Sequence, residues 1–365
     1  MNITIIAGAR PNFMKIAPII EAIKQKNAAG VALNYQLIHT GQHYDKNLSD
    51  TFFEELDIPF PDINLNVQSG TQAEQTGAIM IGFEKVLVNN PTDLVLVVGD
   101  VTSTMACTIV AKKAGLKVAH VEAGIRSGDL TMPEEINRIV TDSLTDYFFT
   151  TTSLASETLK NLGVSENQIY FVGNVMIDTL LKNDNRLQQP KLWRTLQLEA
   201  KKYLVMTLHR PSNVDGEQQL KALISQLAQL GKDYPIIFPV HPRTKKLLEG
   251  LNLNFPNLHY VAPLGYLEFN YLVKYAFAVL TDSGGITEET TVMHVPCITL
   301  RTSTERPETC TIGTNVLVGN DPVKITHAFE ELLSGNWRIG DIPELWDGCA
   351  AERIINHLVD IYKVS

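Results

Sequence analysis

The stretch Asn2-Ile3-Thr4-Ile5-Ile6-Ala7-Gly8-Ala9-Arg10-Pro11-Asn12-Phe13-Met14-Lys15 decides the fold. A β-branched run ends in glycine. Pro11 then fits the first turn of a helix whose apolar period runs on through Ile16, Ile19, Ile20 and Ile23. A strand feeding straight into an amphipathic helix is the unit that joins parallel strands. The loop between them is not a dinucleotide fingerprint, which needs three glycines and an acidic residue closing the second strand; one glycine stands here, and the second strand ends in His39-Thr40. No GxxxxGK[ST] loop occurs either. A nicotinamide cofactor is not expected, and Arg10 sits at a helix mouth whose dipole favours anions.

The same alternation continues outward along the chain. Strands are expected over residues 3–7, 35–40, 94–98, 118–122, 147–151 and 169–172, and again over 203–207, 236–240, 259–262, 278–281, 297–300 and 316–318. Residues 183–201 are polar and carry no strand signal. The expectation is an α/β protein of two Rossmann-like parallel-sheet domains, 1–173 and 174–365, with Gly173-Asn174 as hinge. Two such sheets facing one another would put their strand C-termini, and their ligand loops, on a shared cleft.

Composition narrows the function classes. The 365 residues are 44% hydrophobic and 19% charged, which excludes disorder for most of the chain. Lys and Arg number 31 against 40 Asp and Glu, a net charge of -9, so no basic footprint for nucleic acid or anionic membrane exists. No apolar run approaches the roughly 18 residues of a membrane span, and no signal-peptide pattern opens the sequence; a cytoplasmic protein is expected. Cys107, Cys297, Cys310 and Cys349 lie far apart without a CxxC pair, against a zinc ribbon or disulfide scaffold. No metal-site spacing and no nucleophile elbow is present.

Chemistry-bearing residues gather at strand ends. After 278–281 comes Asp282-Ser283-Gly284-Gly285-Ile286-Thr287-Glu288-Glu289, where Ser283 is placed to cap a helix and the glycines let backbone amides approach a pyrophosphate. Glu289 is placed to accept a ribose diol, and Arg306, after the next strand, to reach the same anion. The first half carries Gly99-Asp100, His120-Val121-Glu122 and Pro133-Glu134-Glu135-Ile136-Asn137-Arg138; the second half adds His209-Arg210 and Val240-His241-Pro242. Carboxylates crowded in one cleft push their pKa values apart, as acid and base catalysis needs. The bland alternatives stay open: Asp100 as a helix cap, Glu134 as a first-turn dipole partner, His209 as a structural histidine.

These blocks, with Thr304-Glu305-Arg306-Pro307-Glu308 and the terminal Gly348-Cys349-Ala350-Ala351-Glu352-Arg353-Ile354, resemble the bacterial non-hydrolysing UDP-N-acetylglucosamine 2-epimerase family, in that family's order and over nearly the whole chain. The resemblance implies the glycosyltransferase-B type of fold, with a final helix at about 349–363 returning to the first domain. It implies a homodimer and inversion at C2 by elimination and re-addition of UDP through 2-acetamidoglucal, without cofactor or metal. It also implies Asp100, Glu122, Glu134 and His209 as catalytic residues. Arg10, Lys15, Arg138, Arg210, His241, Ser283, Gly284, Gly285, Glu289 and Arg306 would bind the UDP-sugar. UDP-2,3-diacetamido-glucuronate is an alternative substrate, since the short Ser127-Gly128-Asp129-Leu130-Thr131-Met132 loop and the Pro211-Ser212-Asn213 continuation depart from the family beside the sugar. A hydrolysing epimerase and, more remotely, a glycosyltransferase are further alternatives. Some members are activated by a second UDP-sugar; Gln42-His43-Tyr44-Asp45-Lys46, and the absence of arginine from 66–72, lead us to expect that activation to be weakened here.

Overall fold

A computed structural model describes residues 1–41, 53, 55–240, 248, 250–251 and 253–364. The chain forms two compact units, Met1–Lys182 with Glu344–Ser365, and Asn183–Pro343. Among the described residues no helix is long and apolar enough to cross a membrane.

Unit 1 is built on the parallel strands β1 (Asn2–Ala7), β2 (Asn34–His39), β3 (Ile63–Asn64), β4 (Leu94–Val98), β5 (Lys117–Val121), β6 (Tyr147–Thr150) and β7 (Ile169–Phe171). Their order across the sheet is β3-β2-β1-β4-β5-β6-β7. The central strands are apolar runs because helices cover both faces: all five residues of β4 are buried. The chain winds outward from β1 in one direction through β2, then restarts from β4 in the other, so the β1/β4 boundary is a topological switch point. Unit 2 repeats the plan with β8 (Leu204–Thr207), β9 (Ile236–Pro239), β10 (Leu258–Val261), β11 (Ala278–Thr281), β12 (Cys297–Thr299) and β13 (Asn315–Leu317), in the order β10-β9-β8-β11-β12-β13. Its switch point lies between β8 and β11. Each unit has its own core: Ile6, Val95, Val97 and Phe83 pack together in unit 1, and Met206, Phe238, Leu280 and Phe329 in unit 2.

The division of the chain differs from the expected one. It falls after Lys182, not at Gly173, because the helix Val175–Asn183 begins inside unit 1 with Val175, Met176 and Ile177 buried. Gly173 is no hinge. Its φ is +92°, and a Cβ there would lie 2.0 Å from the Leu345 carbonyl, so the position is glycine because the returning chain presses against it. That return is firm: Trp346 is buried and donates from Nε1 to the Thr151 carbonyl (3.1 Å), and Arg353 donates to the Val172 carbonyl (3.0 Å). The helix Ala350–Tyr362 then packs against the first helix, Arg10–Ala28.

Candidate active site

In unit 1 the strand-end loops around the switch point are tied to one another. Asn12, in the first turn after β1, accepts the Gly8 and Ala9 N–H groups (3.2 and 2.9 Å) and donates to the Val98 carbonyl at the end of β4 (2.9 Å). Lys15, one turn on, reaches Glu122 Oε2 at 2.6 Å. Gly99 has φ +69°, and its missing Cβ would lie 3.2 Å from Lys15 Nζ and 3.7 Å from Glu122 Oε2, so a side chain here would crowd the ion pair. Glu122 itself has φ +73°, a left-handed conformation that costs a non-glycine residue about 1 kcal/mol or more. Its backbone is held there by a bond from its N–H to the Phe149 carbonyl (3.0 Å).

Asp100 does not cap the helix Thr102–Lys113, whose cap position is Val101. Its carboxylate accepts instead from Arg138 Nε and Nη2 (3.1 and 2.6 Å), and Asn137 donates to its carbonyl (2.8 Å). Asp100 is 32% exposed, Arg138 only 3%. Arg138 also reaches Glu135 Oε2 at 2.5 Å, while Glu135 takes the Ser127 and Gly128 N–H groups. Burial pushes the Glu135 carboxyl up, but those N–H bonds and Arg138 together hold it below its usual range. Glu134, its neighbour, is exposed in the first turn of the helix Pro133–Leu144. Asp100 and Glu122 are each paired with a cation. Lys15 and Arg138, expected to bind substrate, are the cations so engaged.

A second network lies behind these loops. His120 is fully buried, with Nδ1 2.7 Å from Asp142 Oδ1 and Nε2 2.9 Å from the Gly99 carbonyl. Asp142 also accepts from Arg126 (2.7 Å) and the Gly124 N–H (3.1 Å). Burial raises this carboxyl, yet His120 and Arg126 outweigh it and keep it low. His120 thus joins the loop carrying Asp100 to the helix carrying Glu134.

In unit 2 the organising group is Asp282, directly after β11 and fully buried. It accepts the N–H groups of His209 (3.0 Å) and Arg210 (2.9 Å), Asn213 Nδ2 (3.0 Å) and His209 Nδ1 (2.7 Å). Burial pushes its carboxyl up; the His209 ring and these donors hold it low. Arg210 donates through Nε to the Asp282 carbonyl (3.2 Å) and lies 3.7 Å from Glu305. Ser283 stands at the cap position of the helix Gly284–Val292, but its hydroxyl makes no cap bond; its N–H donates to Thr281 Oγ1 (3.0 Å). Gly284 faces Glu305, whose Oε1 would lie 3.1 Å from a Cβ at that position, and Gly285 follows in the same first turn. Glu289 is buried, not an exposed first-turn acid. Asn270 donates to it at 3.4 Å, and burial lifts its carboxyl to about 7 against hydrogen bonds from Tyr266 and Asn270. Arg306, expected at the anion, is buried against Glu288 and ion-paired with it. His241, the segment Gln42 to Lys46 and the Arg10 side chain lie outside the described residues.

With that geometry in hand, the family model for UDP-N-acetylglucosamine 2-epimerase matches residues 24–359. The chain belongs to the UDP-N-acetylglucosamine 2-epimerase family. It is 41% identical to the UDP-N-acetylglucosamine 2-epimerase of Methanocaldococcus jannaschii, over 98% of this chain and 99% of that one. It is 39% identical to the UDP-2,3-diacetamido-2,3-dideoxy-D-glucuronate 2-epimerase of Pseudomonas aeruginosa, over 99% and 100%. Among solved structures, the M. jannaschii enzyme in complex with UDP-GlcNAc and UDP superposes with a TM-score of 0.86 at 42% identity, covering 99% of this chain and all of that one. The Neisseria meningitidis enzyme bound to UDP-GlcNAc gives 0.88 at 28% identity, over 99% and 100%.

Several groups around these family motifs were not singled out from sequence. Glu135 and Asp142 were missed because the helix Pro133–Leu144 is inverted: Glu135, Arg138 and Asp142 are buried while Ile136 and Ile139 are 48% and 40% exposed. Asp282 was read only as part of a glycine-rich loop. The signal for it was its position as the residue closing a strand beside a switch point.

Proposed function

We propose that this enzyme interconverts UDP-N-acetylglucosamine and UDP-N-acetylmannosamine without redox chemistry. The observation that carries the reading is the pairing of Asp100 with Arg138 and Glu122 with Lys15 on adjacent strand ends. Each acid is ion-paired with its own cation, at strand ends that carry the family motifs. In the reaction a carboxylate takes the C2 proton as the C1–O bond to UDP breaks. The electron pair of that bond leaves on the β-phosphate oxygen, and a C1=C2 double bond remains in 2-acetamidoglucal. UDP then re-adds at C1 as a proton is delivered to the other face of C2. Asp100, Glu122 and Glu134 supply base and acid. His209 meets the developing charge on the leaving diphosphate. The Ser283 hydroxyl and the N–H groups of Gly284 and Gly285 hold the diphosphate and Glu289 the ribose; Arg10, Arg210 and His241 complete the binding set by their places in the family motifs.

The relative from P. aeruginosa supports a second reading, UDP-2,3-diacetamido-glucuronate as substrate of the same C2 inversion. Incubation of the chain with each UDP-sugar in deuterated water, followed by NMR, tests both. The expected result is deuterium at C2 and the C2 epimer still attached to UDP. Free N-acetylmannosamine would show a hydrolysing enzyme, and no exchange with either sugar would overturn the reading. We further take the enzyme to work in the cytoplasm as a homodimer, supported by the apolar face that Leu130, Ile136 and Ile139 leave exposed. A monomer mass by sedimentation would remove that part.

A further inference from the structure

Asp282 and His209 follow the ends of neighbouring strands, β11 and β8, at the switch point of unit 2. Asp282 is fully buried, whereas the His209 side chain is 62% exposed. An imidazole that open to water has several rotamers available and two neutral tautomers. Here its Nδ1 lies 2.7 Å from Asp282 Oδ1. An ionised carboxylate can only accept, so Nδ1 carries the proton and Nε2 is turned outward. We propose that Asp282 is a positioning residue for the epimerisation, acting through His209: it fixes the ring so that Nε2 is the atom presented to the leaving diphosphate.

This inference rests on the role given to His209 above. The carboxylate also takes the N–H groups of His209 and Arg210 and the Asn213 amide, which in turn donates to the Leu300 carbonyl (3.1 Å) and accepts from Asn320 (2.8 Å). Main chain and ring of His209 are therefore set by one buried group. A loop-bracing role accounts for the backbone bonds but gives no reason for the ring contact. With Nδ1 committed to Asp282, a proton taken up by the ring goes on Nε2, which then donates to the diphosphate, while the carboxylate takes up no proton itself. Its many donors hold it ionised despite its burial.

The test is a double-mutant cycle on the full chain with UDP-N-acetylglucosamine. Asp282→Asn and His209→Gln should each lower kcat by roughly a hundredfold or more, with KM changed far less, as loss of an interaction made to the transition state does. The double variant should be no slower than His209→Gln alone, because Asp282 then has nothing to act through. If Asp282→Asn costs the same factor in the His209→Gln background as in wild type, the positioning role is overturned while that of His209 stands. If His209→Gln turns over at the wild-type rate, the role of His209 falls and this one with it. Should Asp282→Asn fail to fold, the imidazole ¹⁵N shifts of wild-type His209 decide. The expected tautomer has Nδ1 protonated; an Nε2-protonated neutral ring overturns the proposal.

Discussion

At the scale of a residue, Glu289 links proton binding to nucleotide binding. Its carboxyl is raised from the usual 4.5 to about 7 by burial. Between those values the folded protein binds more protons than the unfolded chain. The contribution of Glu289 to unliganded stability should therefore be full below about 4.5 and be lost as pH rises through about 7. If Glu289 accepts the ribose hydroxyls, ligand selects the ionised form, so the sign for binding is opposite: affinity for UDP-N-acetylglucosamine should rise with pH toward a plateau above 7. The limiting slope is tenfold per unit, about 1.4 kcal/mol. The diphosphate of this ligand is a diester and keeps its charge throughout. Calorimetry from pH 5.5 to 8 on wild type and Glu289→Gln should show the rise in the first and a flat line in the second; parallel curves would refute the ribose role. The sequence placed Glu289 at the nucleotide but could not foresee its burial, which comes from Tyr266 and Asn270 on a separate helix. The same holds for Glu122: a glutamate at φ +73° has no sequence signature, since only the fold around it imposes that conformation.

At the scale of an element, what was legible depended on whether a segment shows its apolar side to the core. β4 and β11 were read from sequence with their bounds as found, because uninterrupted apolar runs stop at Gly99 and Asp282. β3, Ile63–Asn64, is too short to have a period. The helix Ala350–Tyr362 depends on a partner remote in sequence. Asp178 accepts the N–H groups of Ala350 (3.1 Å) and Ala351 (2.7 Å), satisfying donors that the first turn leaves open. Burial pushes Asp178 from 3.8 up to about 6 against those bonds; Asp347 raises it further and Arg353 lowers it, while exposed Cys349 and Glu352 stand nearby. Its folded value lies above its unfolded one, so its contribution is full below about 4 and is lost as pH rises through about 6. Denaturant titrations of wild type and Asp178→Asn at pH 4.5 and 7.5 should show wild type losing about 2 kcal/mol relative to the variant. Equal pH dependence in the two proteins would mean that Asp178 does not titrate in this range.

At the scale of the whole molecule, the paired carboxylates lie in one unit and the glycine-rich helix start proposed for the diphosphate in the other. The positions of these loops were legible in outline, because strand ends announce where loops gather. The point of division was not, since Gly173 looks like a hinge in sequence and turns out to be the place where Leu345 closes down on unit 1. If the assignment of tasks is right, binding and turnover separate by unit. Asp100→Asn and Glu134→Gln alter unit 1 only, and the groups proposed for UDP are untouched, so the dissociation constant for UDP should stay within about threefold of wild type, under about 0.7 kcal/mol. Turnover in the same variants should fall by at least about a hundredfold, or some 2.7 kcal/mol of barrier, as loss of an acid or base requires. Asp100→Asn has the further effect of removing one carboxylate from the buried Arg138, so a thermal shift must be measured beside the rates to show that the fold is retained. Glu289→Ala, in unit 2, should do the reverse: weaken UDP by at least about tenfold, or 1.4 kcal/mol. Deuterium exchange at C2 adds the decisive comparison. With saturating UDP-sugar, Glu289→Ala should still exchange the C2 proton, whereas Glu134→Gln and Asp100→Asn should not. A folded Asp100→Asn that kept more than about a tenth of wild-type exchange, a loss below about 1.4 kcal/mol, would remove it from the proton chemistry and leave Glu122 and Glu134 to carry both faces.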